Sequence, residues 1–506
     1  MNAALDEDVV DSGLCDPDVL SRAGYFDLNG STVDDGSKHY YYWMFESKGN
    51  PATDPVVLWL TGGPGCSSTL ALLSENGPCK VNEDGTGTIP NAYGWNQNAT
   101  VVWLDQPAGV GFSYGTENDD NEDMVGEDAY FFLQSLMAEH PQYSTQPFFV
   151  FGESFGGHYA PGVAHTIWSK NKANEAAAVA ASVAAGQAAG VGDLGLGLGS
   201  PQLEVRINLA GLSVGNGLTD PSVQYAYYPK MAMNNTYGIK TVSEEQYESM
   251  VAHVPQCVAL ADACQEATDA AATAAAAATV HDSSNDKTND SSGTNGAAAK
   301  ASAEAKASAA KTCKTAQSLC GAWETTPYYQ TGLNPYDIRI PCEVPGLCYN
   351  FSNVETFFND PSVLEQLHVR IGADASSQWT ECNYDVNAAF APDWMVGYQG
   401  YVADLLDQAQ VPVLIYAGDV DFVCNWIGNK AWTLALPWSG KDAYTSFEDV
   451  AWSIDSASAQ TPSGLARSSG GFTFLQVYEA GHLVPQDQPE AALAMLNTFI
   501  HGGSFV

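Results

Sequence analysis

The sequence predicts an α/β protein with a mostly parallel central sheet flanked by helices. Runs of β-branched and aromatic residues at 56–60 (VVLWL), 100–106 (TVVWLDQ) and 148–152 (FFVFG) alternate with helical stretches such as 123–140. This alternation is typical of parallel sheets, because a crossover between parallel strands usually contains a helix. The 506 residues, of which 45% are hydrophobic, suffice for one large domain with insertions.

The charge composition narrows the classes of partner. Nineteen Lys and Arg stand against 59 Asp and Glu, so the net charge is −40 at pH 7. Nucleic acids and anionic membranes bind basic patches, and neither is therefore a predicted partner. Protonation of carboxylates at about pH 4 to 5 relieves their mutual repulsion, which favours an acidic compartment. No apolar run has the length of a membrane span.

Cysteine content and glycosylation sequons indicate an oxidising compartment. The chain has eleven Cys, and sequons occur at Asn29, Asn98, Asn234, Asn289 and Asn350. The opening residues MNAALDEDVVDSG are acidic, whereas a secretion signal is basic and then apolar. We therefore expect a mature or trimmed chain of the secretory pathway.

A glycine-rich loop, Gly62-Gly63-Pro64-Gly65, follows the strand at 56–60. Without a Cβ, such a loop lets the backbone approach a substrate closely. In one class of hydrolase, a loop after an early strand donates a backbone N–H to the oxyanion. Alone, this loop would be interpreted as an ordinary turn, so its meaning depends on the elements that follow.

The strand at 148–152 leads into Gly152-Glu153-Ser154-Phe155-Gly156 and then into a helical segment. This is G-x-S-x-G in the strand–turn–helix context that exposes a nucleophilic Ser hydroxyl. A bare motif of this kind would be equally consistent with a glycine-rich turn and an incidental Ser. The N-terminus of the following helix also directs backbone N–H groups at a developing oxyanion.

Two later strands end in the remaining groups of a triad. Residues 411–421 (VPVLIYAGDVD) end in Asp419 and Asp421, and residues 472–485 (FTFLQVYEAGHLVP) place His482 after a strand. The chain order Ser, Asp, His is that of the α/β-hydrolase triad. Spacing alone does not choose between the two Asp residues.

With these motifs in place, the sequence resembles the serine carboxypeptidases, the family of carboxypeptidase Y and cathepsin A. The resemblance rests on motifs that span nearly the whole chain, namely WLTGGPGCSS at 59–68, GESFGGHYAP at 152–161, YAGDVDFVCNWIGN at 416–429 and GHLVPQDQP at 481–489. It implies an α/β-hydrolase core formed by 1–217 and 351–506. An inserted, mainly helical cap would occupy 218–350. Within the cap, the low-complexity segment 265–312 is expected to be poorly ordered or weakly helical, and the Ala/Gly-rich 172–202 to be a flexible insert.

The resemblance also implies which cysteines pair. The expected disulfides are Cys15–Cys79, Cys66–Cys382, Cys257–Cys320, Cys264–Cys313 and Cys342–Cys348. Two of them would clamp the low-complexity segment at its base. Cys424 is then unpaired, and its family counterpart is a thiol beside the substrate pocket. Sequence alone does not prove any connectivity.

For the chemistry, the resemblance implies Ser154 as nucleophile, His482 as general base and Asp421 as the orienting acid. The N–H groups of Gly63 and Phe155 would form the oxyanion hole. No zinc motif, P-loop or other cofactor signature is present, so no cofactor is predicted.

Specificity for a free C-terminus would come from two acids, Glu75 and Glu153. The alternative interpretation of either residue is a solvated surface acid, and for Glu75 alone it would be the preferred one. In the family these positions share a proton and hydrogen-bond the carboxylate of a peptide, so at least one pKa should be raised. Gly62 and Thr61 belong to the same binding region; a yeast member of the family has Asn in place of Thr61, and the Thr hydroxyl can still donate.

An apolar pocket for the penultimate residue is implied by Trp394 and Cys424, beside Phe155, with Leu483 next to the general base. A core role for Trp394 is almost as well supported. The predicted function is thus a serine carboxypeptidase that acts on peptide and protein C-termini in a lysosome, a vacuole or outside the cell, with a homodimer possible. Two alternatives remain open. One is an acyltransferase that uses the same triad on sugar esters, and the other is an additional non-catalytic protective role.

Overall fold

A computed structural model describes residues 8–10, 12–28, 37–188, 204–283, 294–371, 378–454 and 462–506. The strands are β1 (Ser21–Asp27), β2 (His39–Phe45), β3 (Val56–Thr61), β4 (Cys79–Val81), β5 (Thr88–Pro90), β6 (Thr100–Leu104), β7 (Phe148–Glu153), β8 (Leu209–Gly215), β9 (Leu333–Asn334), β10 (Asp337–Pro341), β11 (Val413–Gly418), β12 (Val450–Trp452), β13 (Gly464–Ser469) and β14 (Phe472–Val477).

The α-helices are α1 (Ser68–Ala71), α2 (Glu122–Glu139), α3 (Gly156–Ala188), α4 (Pro221–Gln224), α5 (Tyr228–Met233), α6 (Glu244–Ser283), α7 (Thr294–Cys320), α8 (Thr326–Tyr329), α9 (Ser352–Phe358), α10 (Pro361–Gln366), α11 (Tyr384–Ala389), α12 (Gln399–Asp404), α13 (Trp426–Ala435), α14 (Lys441–Ser446), α15 (Val484–Asp487) and α16 (Pro489–Ile500). Short 3₁₀ turns occur at Ser12–Leu14, Trp95–Gln97, Pro141–Tyr143 and Tyr225–Tyr227, and π turns at Leu72–Asn76, Gly321–Thr325 and Leu405–Ala409.

One ten-stranded sheet organises the molecule, in the order β1-β2-β6-β3-β7-β8-β11-β14-β13-β12. The six central strands, from β6 to β14, run parallel, and the outer strands pair antiparallel. The predicted fold class is therefore confirmed. Because the central strands are parallel, their carboxyl ends share one edge, and the loops after β3, β7, β8, β11 and β14 converge there.

Both faces of the sheet are covered, which explains why the central strands read as continuous apolar runs. In β3, Val56, Leu58 and Leu60 pack into the hydrophobic core on one face. Val57 and Trp59 point to the core on the other face. This alternation is the two-residue period of a strand, and it fixes the register of the loop that follows.

A mainly helical segment is inserted between β8 and β11. Its main feature is the antiparallel pair α6 and α7, which carries much of the segment 265–312. The expectation of poor order or weak helicity there differs from the structure, which is helical up to Ser283 and again from Thr294. Alanine has the highest helix propensity, so an Ala-rich sequence favours helix even without an apolar stripe. For the same reason α3 continues to Ala188, into the predicted flexible insert 172–202; residues 189–203 and 284–293 lie outside the described residues.

All five expected disulfides are present, and Cys424 is free and buried. Cys257–Cys320 and Cys264–Cys313 join α6 to α7. Cys66–Cys382 ties the glycine-rich loop to the later part of the core. Among the described helices, none combines the length and apolar character that a membrane crossing requires.

A buried cluster of acidic side chains lies near the start of α2. Glu122, Asp119 and Asp393 are each at most 4% exposed. Burial and the neighbouring Asp393 raise the pKa of Glu122 well above its usual range, and burial does the same for Asp393. Burial also raises the pKa of Asp119 to about 6, although the Lys38 ammonium lies 2.7 Å from one of its oxygens. These groups hold their protons more tightly in the folded than in the unfolded chain.

We therefore expect thermal stability to fall as the pH rises. The contribution of a carboxyl with a raised pKa is fully present below its unfolded pKa of about 4 and is lost towards its folded pKa. The melting temperature at pH 7.5 should lie at least several degrees below that at pH 4.5. Glu122→Gln should flatten this dependence, whereas Glu175→Gln on the exposed part of α3 should leave it unchanged. A melting temperature that rises over this interval would contradict the prediction.

Candidate active site

Ser154 occupies the sharp turn between β7 and α3, as its motif predicts. Its φ is +64°, a left-handed conformation that a side chain adopts only when its surroundings enforce it. The Ser154 N–H donates to the Gly215 carbonyl at 3.1 Å, and the Ser154 carbonyl accepts from Leu218 N–H at 3.0 Å. The loop after β8 thus holds the turn from both sides.

His482 and Asp421 meet at the same edge of the sheet. The Nδ1 atom of His482 lies 2.8 Å from Oδ2 of Asp421, and both side chains are buried. The backbone N–H of His482 donates to the Tyr336 carbonyl at 2.8 Å, so the inserted segment also fixes the histidine loop. Ser154 and His482 both line a mostly apolar cavity at this edge, and Asp421 contacts His482, so the three predicted triad residues lie together.

Asp419, the alternative acid, points elsewhere. Its carboxylate accepts from the Tyr237 hydroxyl at 3.0 Å and from the backbone N–H of Glu479 at 2.9 Å. Gln476 donates to its other oxygen at 3.2 Å. Asp419 therefore tethers the inserted segment to the end of β14, and the geometry favours Asp421 as the partner of His482.

The glycine-rich loop lies directly against the nucleophile turn. A Cβ on Gly62 would lie within 2.3 Å of the Phe155 nitrogen, so this position requires glycine. Gly63 has a φ of +110°. Within the described residues, no protein acceptor takes the N–H of Gly63 or of Phe155. Two backbone donors are thus available beside Ser154, as an oxyanion hole requires.

Glu75 and Glu153 form a buried carboxyl pair in the same cavity. They are 2% and 1% exposed and are hydrogen-bonded to each other. Burial raises the pKa of Glu75 to about 8. Burial, together with the adjacent Glu75, raises the pKa of Glu153 well above its usual range. The raised pKa values favour the protonated form of the pair, and a protonated carboxyl can donate a hydrogen bond to a ligand.

The cavity has a volume of about 250 Å³ and an apolar wall opposite the polar groups. Its lining residues are Thr61, Gly63, Pro64, Cys66, Leu70, Glu75, Glu153, Ser154, Tyr336, Gly346, Leu347, Tyr349, Phe351, Cys382, Tyr384, Asn387, Trp394, His482 and Leu483. Thr61 accepts from the Trp59 indole at 2.9 Å, which leaves its hydroxyl proton free for a ligand.

Three predicted substrate-binding or oxyanion residues do not line this cavity through their side chains. Gly62 lies beneath the nucleophile turn, and Phe155 packs against Trp394 with ring centroids 5.4 Å apart. Cys424 is also buried, and burial raises the pKa of its thiol well above the usual range. The sequence motifs also missed the Tyr336, Leu347, Tyr349 and Phe351 wall, for which no local pattern exists. Asn216, which donates to Asp421 at 2.8 Å, was missed as well.

Comparison with known proteins gives a consistent picture. The family model described as "Serine carboxypeptidase" matches residues 15–502. Carboxypeptidase Y of Komagataella phaffii is 35% identical over 483 residues, which cover 95% of this chain and 76% of the relative. Carboxypeptidase Y of Saccharomyces cerevisiae is 35% identical over 494 residues, covering 96% and 77%.

A solved structure agrees in fold. The crystal structure of Kex1Δp, a prohormone-processing carboxypeptidase from Saccharomyces cerevisiae, superposes with a TM-score of 0.71 at 23% identity. The match covers 98% of this chain and 96% of that one.

Proposed function

Because this chain belongs to the serine carboxypeptidase family, we propose that it removes C-terminal residues from peptides at acidic pH through an acyl-enzyme on Ser154. The observation that carries the proposal is the buried Glu75–Glu153 carboxyl pair, which lines the same cavity as Ser154 and His482 and whose pKa values are raised by burial. A triad alone serves many acyl-transfer reactions, whereas a neutral carboxyl pair beside it fits a substrate that ends in a free carboxylate.

In the first half of the reaction, His482 removes the Ser154 proton while the oxygen attacks the carbonyl carbon of the scissile amide. The carbonyl oxygen becomes an oxyanion and accepts hydrogen bonds from the N–H groups of Gly63 and Phe155. His482 then protonates the leaving amine, the C–N bond breaks, and the C-terminal residue departs. Asp421 holds the imidazole in the correct tautomer and stabilises the imidazolium.

In the second half, water replaces the released amino acid. His482 removes a proton from the water, the hydroxyl attacks the acyl-enzyme ester, and a second oxyanion forms in the same hole. Collapse of this intermediate returns the proton to Ser154 and releases the shortened peptide. Each intermediate uses the same donors, so one geometry serves both halves.

The carboxyl pair explains selection of the chain terminus. A protonated carboxyl donates to the substrate carboxylate, whereas an ionised one repels it. The carboxyl groups of Glu75 and Glu153 and the Thr61 hydroxyl, which line the cavity, would surround that carboxylate. Trp394, which lines the cavity and packs against Phe155, then offers an apolar surface for the penultimate side chain.

The test is the pH dependence of KM for a blocked dipeptide with a free C-terminus. As the pH passes through about 8, Glu75 ionises. KM should then rise by roughly tenfold or more, since like charges placed together cost several kcal/mol. The C-terminal amide of the same dipeptide carries no charge at that position and should show little rise. Glu75→Gln with Glu153→Gln should abolish the rise, because neither group can ionise.

The control is Asp419→Asn, which removes another buried acid near the site and should keep the rise. Identical KM profiles for the acid and the amide in the unsubstituted enzyme would contradict the assignment of the carboxylate site. Transfer of the acyl group of an acyl-glucose donor to an alcohol or amine acceptor, in preference to hydrolysis of both peptides, would instead identify an acyltransferase.

The disulfides support the proposed secretory location. Five disulfides persist only in an oxidising environment, and this supports a secretory location such as a vacuole, a lysosome or the extracellular space. The sequons at Asn234 and Asn350 are exposed, and that at Asn98 is half-buried. Those at Asn29 and Asn289 lie outside the described residues.

The proposed domain division is a core formed by 1–217 and 351–506 with a cap formed by 218–350.

A further inference from the structure

Asn216 follows β8 at the edge of the sheet where the triad residues meet. It is fully buried, and its φ of +39° is positive, a conformation that Asn tolerates better than most side chains. Its backbone N–H donates to the Tyr416 carbonyl at 2.8 Å. The residue is therefore held rigidly between the strand that ends at Gly215 and the strand that leads to Asp421.

Both polar atoms of the Asn216 side-chain amide make hydrogen bonds. Its Nδ2 donates to Oδ2 of Asp421 at 2.8 Å, and its Oδ1 accepts from the Gly418 N–H at 2.9 Å. The Asp421 oxygen that Asn216 contacts is the one that faces His482 Nδ1, also at 2.8 Å. The other oxygen of Asp421 accepts from the Val423 N–H at 3.0 Å.

The same turn also holds the nucleophile. Gly215 accepts from the Ser154 N–H, and Leu218 donates to the Ser154 carbonyl. The Thr219 hydroxyl donates to the Gly157 carbonyl at 3.0 Å. Residues 215–219 therefore connect the two arms of the triad, with backbone contacts to Ser154 and a side-chain contact to Asp421.

We infer that Asn216 is a positioning residue. It orients the Asp421 carboxylate towards His482 and fixes the position of that carboxylate relative to the Ser154 turn. This inference rests on the proposed roles of the triad. Asn suits the task because it donates to Asp421, accepts from the Gly418 N–H and stays neutral while His482 gains and loses its proton. Leucine has a similar size and neither polar group, and aspartate would place a second carboxylate against the first.

The readout is the rate of Ser154 labelling by a fluorophosphonate, which requires the triad and no particular substrate. We expect Asn216→Leu to slow labelling by about a hundredfold, the loss typical of a misplaced reacting group. Asn216→Asp keeps the side-chain size and the acceptor for the Gly418 N–H, and it should slow labelling at least as much as Asn216→Leu does. The matched control is Asn171→Leu, which removes a buried amide on α3 whose side chain, within the described part of the chain, bonds to the backbone of Ile207 and to no triad residue.

A double-variant cycle separates positioning from a general structural effect. In an Asp421→Asn background, Asn216→Leu should cost less than threefold further, because the group through which Asn216 acts is already lost. An equal cost in both backgrounds would overturn the inference, as would full-rate labelling of both Asn216 variants. Absence of carboxypeptidase activity with normal labelling would overturn the proposed function alone and leave this result intact.

Discussion

Ser154→Ala should lower kcat for a peptide substrate by at least about 10⁵-fold and leave the protein folded. The substitution removes only the hydroxyl group, and the turn is held to Gly215 and Leu218 through the Ser154 backbone. The turn therefore keeps these contacts. Alanine accepts the same backbone as serine, and binding of the peptide carboxylate to Glu75 and Glu153 does not involve the hydroxyl. KM should therefore change little, and fluorophosphonate labelling should vanish.

The matched control is Ser213→Ala. Ser213 is a buried serine on the adjacent strand β8, and its hydroxyl has no protein partner among the described residues. It should retain activity and labelling within about twofold. Labelling that persists in the Ser154→Ala protein, or turnover that survives there at more than about a thousandth of the original rate, would contradict the assignment of the nucleophile.

The parts of the fold that could be predicted are those with local causes. A buried parallel strand needs a continuous apolar run, and a nucleophile at its end needs a glycine-flanked turn. The segments around Ser154, Asp421 and His482 each contain their own strand and turn, and the parallel sheet brings their ends to one edge. Sequence therefore predicted both the elements and their convergence.

The parts that could not be predicted depend on contacts between distant segments. Tyr349 and Phe351 line the cavity because the segment that follows the inserted helices folds back towards Glu75, and no periodicity in the sequence indicates this. Asn216 lies in a stretch, GNG, that looks like an ordinary turn. Only the proximity of the ends of β8 and β11 shows that its amide reaches Asp421.

Composition was misleading for the Ala-rich segments. Low complexity was interpreted as poor order or weak helicity, yet alanine-rich chains are good helix formers when something holds them together. Here two disulfides join α6 to α7 and limit the conformations that the unfolded pair can adopt. The covalent links therefore supply part of the stabilisation that an apolar stripe would otherwise give.

Asp421→Asn should lower kcat by about 10⁴-fold, whereas Asp419→Asn should lower it by less than tenfold. The two acids are separated by a single residue and are equally buried, so the pair is its own matched control. An amide at 421 can present its NH₂ group to His482 Nδ1, which favours the wrong tautomer and leaves no anion to stabilise the imidazolium. An amide at 419 still accepts from the Tyr237 hydroxyl and the Glu479 N–H through its oxygen.

Steady-state kinetics on a blocked dipeptide at pH 5 to 6, with melting temperatures for both variants, measures the difference. Burial raises the pKa of Asp419 to about 6, so at the lower pH this group is already largely protonated and its replacement by a neutral amide changes little. Asp421→Asn should lose activity while its melting temperature stays near that of the unsubstituted enzyme. Equal losses of kcat in the two variants, or a larger loss for Asp419→Asn, would contradict the role of Asp421. The orienting acid of the triad would then have to be reassigned.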